Sequence, residues 1–160
     1  GENMKDKIIN FLSDKEIEYT LIEHVSDAFT CNCVAKERDM KLSQIVKCMI
    51  TKDTKNEIFV LMLPGDRKLK IKKIEKILGG NRIKLMEKSE IEDELNLIVG
   101  AITPIQLIDK TNHFYMDKTI FDEEIVDISA GVLNAGIKLK TEDLEKILNA
   151  KRCDMAVKIN

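Results

Sequence analysis

The run Ile45-Val46-Lys47-Cys48-Met49-Ile50 constrains this chain more than any other segment. Apart from one lysine it is unbroken apolar sequence, too short to span a membrane and of the right length for a buried strand. Side chains alternate across a strand, so Ile45, Lys47 and Met49 share one face while Val46, Cys48 and Ile50 cover the other. Neither face suits solvent, and the run predicts a strand covered on both sides. Lys52-Asp53-Thr54-Lys55-Asn56 reads as the hairpin turn that follows. Glu57 to Leu63 is its antiparallel partner, ended by Pro64-Gly65-Asp66. An ammonium inside such a strand must meet an anion, line a polar cleft, or lose its proton. The alternative is a snorkelling lysine at a strand end or on an edge strand, its stem buried and its head in water.

Elsewhere the periodicity is mixed. Met4, Ile8, Phe11 and Leu12 form one stripe of a first helix over Met4 to Ser13. Tyr19 to Ile22 reads as a strand, and a short helix is expected around Val34 to Asp39. Ile71, Ile74, Ile77 and Leu78 have helical spacing stopped by Gly79-Gly80. Arg82 to Leu85, His113 to Met116, Glu124 to Ile128 and Ile137 to Leu139 read as short strands, and Ser89 to Leu95 as a short helix. Thr141 is expected to cap a last helix carrying Glu142 and Asp143 in its first turn. Helices and short hairpin strands in this order argue against a regular βαβ repeat. They predict a mixed α/β (α+β) fold whose largely antiparallel sheet closes like a barrel, with helices outside it. The 160 residues suit one domain over 4–160, with Gly1-Glu2-Asn3 before Met4 reading as a cloning scar.

With 26 Lys and Arg against 28 Asp and Glu, the chain as a whole is no electrostatic glove for nucleic acid. Locally the balance changes. Arg67, Lys68, Lys70, Lys72, Lys73, Lys76, Arg82, Lys84 and Lys88 face only Glu75 and Glu87 between positions 67 and 88. Such a run is either a solvated helix face or a phosphate-contacting patch. No apolar stretch approaches a spanning helix and the N-terminus lacks a signal pattern, so no membrane partner and a cytoplasmic location are expected. Cys31, Cys33, Cys48 and Cys153 are expected to be reduced thiols. A zinc site built from His24, Cys31 and Cys33 would lack the paired spacing of structural zinc, so no metal is expected. His24 and His113 lack a marked carboxylate partner and read as structural or surface residues.

In Val99-Gly100-Ala101-Ile102-Thr103-Pro104-Ile105, Gly100 permits a backbone approach that a side chain would block and Pro104 fixes the exit of the loop. The result is either a rigid rim of exposed amides or a tight structural turn. Lys47 in its apolar strand, Leu63-Pro64-Gly65-Asp66-Arg67, Leu78-Gly79, Gly100-x-x-x-Pro104, Tyr115-Met116-Asp117 and Ser129-Ala130-Gly131 occur in that order. From about Tyr19 to Ala156 the chain thereby resembles the YbaK/prolyl-tRNA-editing family, freestanding aminoacyl-tRNA deacylases related to the editing insertion of bacterial prolyl-tRNA synthetases.

The resemblance implies hydrolysis of the ester between a wrong amino acid and the terminal ribose of transfer RNA, with cysteine or alanine on the proline acceptor as the expected substrates. It implies that Lys47 holds the acceptor end and that Gly100 helps position the reacting carbonyl and water. It also implies substrate-binding positions at Thr30, Ile102, Thr103, Pro104, Asp117 and Gly131, no cofactor, and prolyl-tRNA synthetase as a possible protein partner. Thr30, Thr103 and Asp117 also have readings as a helix cap, a turn hydroxyl and a turn former. Two departures stand out: Cys48 after the lysine, where relatives often carry a polar residue, and Gln106, where many carry glycine. Ser129-Ala130-Gly131 is closer to the cysteine-clearing branch than to the alanine-clearing one. A binding or regulatory module of the same fold and a thiol redox or metal protein built on Cys31 and Cys33 are the alternatives.

Overall fold

A computed structural model of the chain describes residues 3–159. Gly1 and Glu2 of the expected scar lie outside the described residues. Asn3 begins the fold: its side chain accepts a hydrogen bond from the Asp6 amide and caps α1 (Met4–Asp14), which buries Ile8 and Leu12 as its stripe requires. β1 (Tyr19–Glu23) and α2 (Cys31–Glu37) follow. β2 (Val46–Asp53) and β3 (Ile58–Pro64) form the expected antiparallel hairpin, with Lys47 opposite Leu63.

The chain continues through β4 (Arg67–Leu69), α3 (Ile71–Ile77), β5 (Ile83–Leu85) and α4 (Lys88–Leu95). Gly79 and Gly80, both with positive φ, return their amides to Lys76 and Glu75 and stop α3. After a 3-10 turn at Pro104–Leu107 come β6 (His113–Asp117), β7 (Ile125–Ser129), β8 (Ala135–Lys140), α5 (Thr141–Leu148), β9 (Lys151–Cys153) and β10 (Ala156–Lys158).

Strands β5-β2-β3-β6-β9 make a five-stranded sheet, β1-β8-β7 a three-stranded one, and β10-β4 a two-stranded ribbon. The α/β class with mixed, largely antiparallel pairing holds, since among the described strand pairs only β3–β6 and β6–β9 run parallel. The barrel does not. The five-stranded sheet ends in the three-residue edge strands β5 and β9, and among the described residues only the single bridge Ile45–Asp127 links it to the three-stranded sheet. The two sheets therefore pack face to face instead of closing.

Packing explains why the hairpin strands are apolar on both faces. Val60, Met62, Phe114 and Met116 turn toward Val126, Ile128, Ile137 and Leu139 of the three-stranded sheet and toward Ile8 and Leu12. Phe59, Leu61, Leu63 and Tyr115 turn the other way, onto Ile74 of α3 and Met155. Leu61, Met62 and Leu63 are fully buried, each contributing about 1.5–3 kcal/mol on transfer from water.

Two local expectations are corrected. The N-cap of α5 is Lys140 and not Thr141, whose hydroxyl instead donates to the Glu123 carbonyl at 2.5 Å. The second helix starts three residues early because the Thr30 hydroxyl accepts from the Cys33 amide at 3.1 Å.

Candidate functional site

A cleft of about 310 Å³ opens where β2, α2 and the loop after α4 meet. Lys47, Gly100, Ile102 and Thr30, four of the residues singled out from the sequence, line it together. Lys47 is half-buried, and no carboxylate pairs with it among the described residues. An ammonium left unneutralised in a cleft is a ready partner for an anion.

Gly100 adopts φ +99, a conformation that other L-residues resist. A Cβ there would lie 3.3 Å from Leu133 and 3.5 Å from Phe29, so the glycine also lets the loop close against the aromatic ring. Phe29 itself is 65% exposed. Among the described residues no acceptor takes the amides of Gly100 or Ile102, whereas the neighbouring Ala101 amide bonds Ile98. Cys48, Ile50, Ile91 and Val99 add apolar walls.

The other four expected positions lie outside the cleft lining. Thr103 and Pro104 are buried behind the loop, where the Thr103 amide donates to the Gln106 side chain at 3.0 Å and fixes the 3-10 turn. Gln106, the departure from glycine, therefore holds the turn. Asp117 is 1% exposed and ties β6 to the C-terminal segment, accepting from the Met155 and Ala156 amides at 2.8 and 3.0 Å and from Thr119. Gly131 has φ +85, and a Cβ there would lie 2.5 Å from the Met4 side chain. Its role in these contacts is to admit α1.

Sequence reasoning missed the most buried charges of the cleft. Arg38, the C-cap of α2, reaches β7 and pairs with Asp127 at 2.5 Å, with side chains 3% and 1% exposed. Arg38 also donates to the Ala135 carbonyl at 2.9 Å and to His24 Nε2 at 3.3 Å, while His24 Nδ1 lies 2.6 Å from the Ser26 carbonyl. Nδ1 therefore carries the proton and Nε2 accepts. His24 is thus held between Arg38 and Ser26, whereas His113, for which the sequence marked no carboxylate partner, lies 3.2 Å from Glu57 and stacks on Phe59 at the surface. Burial pushes Asp127 up to about 6 against the opposing pull of Arg38.

Gly136 is what makes room for the guanidinium, since a Cβ there would lie 2.2 Å from Arg38 Nη1. Gly136→Ala is expected to lower stability by about 1–3 kcal/mol, read as a reduced urea midpoint at unchanged slope.

The thiols are poor nucleophiles here. Burial raises Cys31 despite the nearby charge of Lys47 and pushes Cys48 up to about 12, so both stay protonated at neutral pH. Among the described residues no three His, Cys, Asp or Glu side chains gather as a metal ligand set. No helix among them is long and apolar enough to cross a membrane.

Comparison with known proteins supplies the context. The chain is 27% identical over 150 residues to the prolyl-tRNA editing protein ProX of Acetoanaerobium sticklandii, covering 91% of each chain. It is 23% identical over 151 residues to the multifunctional Ser/Thr-tRNA deacylase ProXp-y of Escherichia coli, covering 92% of this chain and 89% of the relative. Its fold superposes with TM-score 0.82 and 16% identity on a protein described as a candidate trans-editing enzyme for prolyl tRNA synthetase, over 100% of this chain and 99% of that one. The aminoacyl-tRNA editing domain model matches residues 25–147, a span holding Lys47, the Gly100 loop and Asp127, and the chain belongs to that family.

Proposed function

We propose that this chain, as one editing unit over residues 4–160, hydrolyses the ester joining a wrong amino acid to the terminal ribose of transfer RNA. The observation that carries this reading is the meeting of an unneutralised Lys47 with the acceptor-free amides of Gly100 and Ile102 in one cleft. Lys47 holds a phosphate of the acceptor end as a point charge, and the Gly100 loop places the ester carbonyl. A bound water supplies the attacking oxygen, assisted by the substrate's own neighbouring ribose hydroxyl; the bond from the acyl carbon to the ribose oxygen breaks, and that oxygen leaves as a hydroxyl by taking up the water's proton. Placement and electrostatics then carry the rate, with no protein nucleophile, metal or cofactor.

The ProX name supports proline acceptors, and the small apolar walls suit cysteine or alanine. Such walls separate side chains differing by one methylene only about 10–200-fold, so related esters are expected to share the site. The deciding experiment incubates the protein with transfer RNA for proline carrying cysteine, alanine, serine, threonine or proline, with and without prolyl-tRNA synthetase, and follows loss of the ester. At least one mischarged ester should disappear well above the buffer rate while the prolyl ester survives. Binding without turnover across the whole panel would make the protein an aminoacyl-end adaptor instead.

Two further outcomes are expected from this mechanism. Replacing Cys31 and Cys33 together by serine, or adding chelator, should leave turnover within a few-fold of the parent, because neither thiol nor metal takes part. Loss of turnover on chelation would favour a metal hydrolase. The second concerns the basic segment. Lys68, Lys72 and Lys76 are exposed, while Lys73 is engaged with Asp154 at 3.1 Å. If the three free lysines touch the acceptor arm, reversing two of them to glutamate should weaken transfer RNA binding. The slope of log affinity against log salt should fall by about 1.5–2. Hydrolysis of a minimal aminoacyl-nucleotide should scarcely change. Unchanged binding by the reversed protein would return the patch to a solvated helix face.

A further inference from the structure

One polar group of the cleft has no part in the reaction as described. Asp127 lines the cleft and is 1% exposed; its Oδ1 is held by Arg38, but its Oδ2, also buried, has no hydrogen-bond partner among the described residues. Buried acceptors are almost always satisfied, and one that is not calls for an explanation. Arg38 cannot cover it without giving something up. Its Nη2 is committed to Ala135 and its Nε to His24, and Gly136 fixes the depth at which the guanidinium sits. The nearby apolar walls donate nothing, and the Ser129 hydroxyl, which accepts from the Gly131 amide, makes no bond to Asp127 Oδ2 among the described residues. One carboxylate oxygen is thus anchored and the other is left unspent at the side of a cleft built to receive a small amino acid. Rotation about the soft terminal torsion of an aspartate exchanges which oxygen faces the cleft.

We infer that Asp127 is a binding residue for the aminoacyl group, its unspent oxygen accepting a hydrogen bond from a donor on the bound amino acid, with Arg38 as the positioning residue that holds it. The inference rests on the deacylase reading and deepens it. The donor is either the α-ammonium shared by all aminoacyl esters or a side-chain hydroxyl. The distinction matters for selectivity: a site that hydrogen-bonds its substrate rejects the analogue lacking the donor far more strongly than an apolar wall does, because the buried acceptor is then left bare.

The test measures kcat/KM for alanyl, seryl and N-acetylalanyl esters on one transfer RNA. It compares the parent, Asp127→Asn, and the double variant Arg38→Met with Asp127→Leu, which removes both charges and so remains foldable where a single change fails. If the α-ammonium is the donor, the parent should prefer alanyl to N-acetylalanyl by about 100-fold or more. If the side-chain hydroxyl is the donor, it should prefer seryl to alanyl by a similar factor. In either case the double variant should bring that ratio to within about threefold of unity. Hydrolysis by the parent with neither preference, or a preference that survives intact in the double variant, overturns the inference while leaving the deacylase standing. No hydrolysis of any of these esters by the parent overturns the inference, and overturns the deacylase as well only if the cysteinyl and threonyl esters also survive.

Discussion

Lys47→Ala should leave a folded protein that has lost nearly all deacylation, at least about 100-fold in kcat/KM, the scale seen when a preorganised charge-stabilising group is removed. The expectation follows from what Lys47 lacks. It is the second residue of β2, half-buried, with no carboxylate paired to it among the described residues, so deleting the ammonium breaks no ion pair. The core at this point is supplied by Leu61, Met62 and Leu63 of the neighbouring strand, which the substitution does not touch. The stability change should therefore be about 1 kcal/mol or less, a Tm shift of about 2–4 °C for a chain of this size. Lys47→Arg should rescue poorly, because a planar guanidinium needs more room and offers its donors in a fork instead of at a point. Activity assays run beside thermal melts check this. Full turnover in the alanine variant would remove Lys47 from the mechanism, whereas a large loss of stability would make it a structural residue.

Much of this arrangement is legible in the sequence alone. The Ile45–Ile50 run marks a strand because both of its faces are apolar, though Val46 to Met49 stay only partly buried where they line the cleft; the hairpin, α1 and the glycine stop of α3 follow from local periodicity and caps. The short strands β4, β9 and β10 did not, since each is three residues long and owes its pairing to partners far along the chain. Barrel closure likewise depends on how edge strands meet, which no local pattern encodes.

At the site, Gly100 and Ile102 line the cleft while Asp117 and Gly131 lie outside its lining, because a motif says which residues recur and not which way they face. Asp127 was hidden for a different reason. Between Val126 and Ile128 it alternates as a solvent-facing residue would, and its partner Arg38 lies 89 residues away. An acid flanked by buried apolar neighbours on a strand beside a candidate loop is the only signal the sequence offered.

That buried pair carries the second large effect. Asp127→Leu should cost about 3–5 kcal/mol at pH 7, because it leaves the Arg38 guanidinium buried without its counter-charge. Adding Arg38→Met should recover most of the loss, since exchanging a buried ion pair for apolar groups of similar size is often neutral or stabilising. Titration gives an independent check on the sign. In the folded chain Asp127 holds its proton up to a pH of about 6, while in the unfolded chain it releases it near the ordinary carboxylate value of about 3.9. Between these values the folded state binds more protons, so the contribution of Asp127 to stability is greatest below about pH 4 and declines as pH rises to about 6. The depressed carboxylates Asp53, Glu123, Glu145 and Asp154 act in the opposite direction, their contributions being lost as pH falls. Those four remain in the double variant, so subtracting its urea stability from that of the parent cancels them and isolates the buried pair. The double variant should gain on the parent between about pH 4 and pH 6 and keep a constant lead or deficit above about pH 7. A difference that does not vary with pH would mean that Asp127 titrates as an ordinary carboxylate in the fold, and a single variant as stable as the parent would mean that Arg38 finds another counter-charge or reaches water.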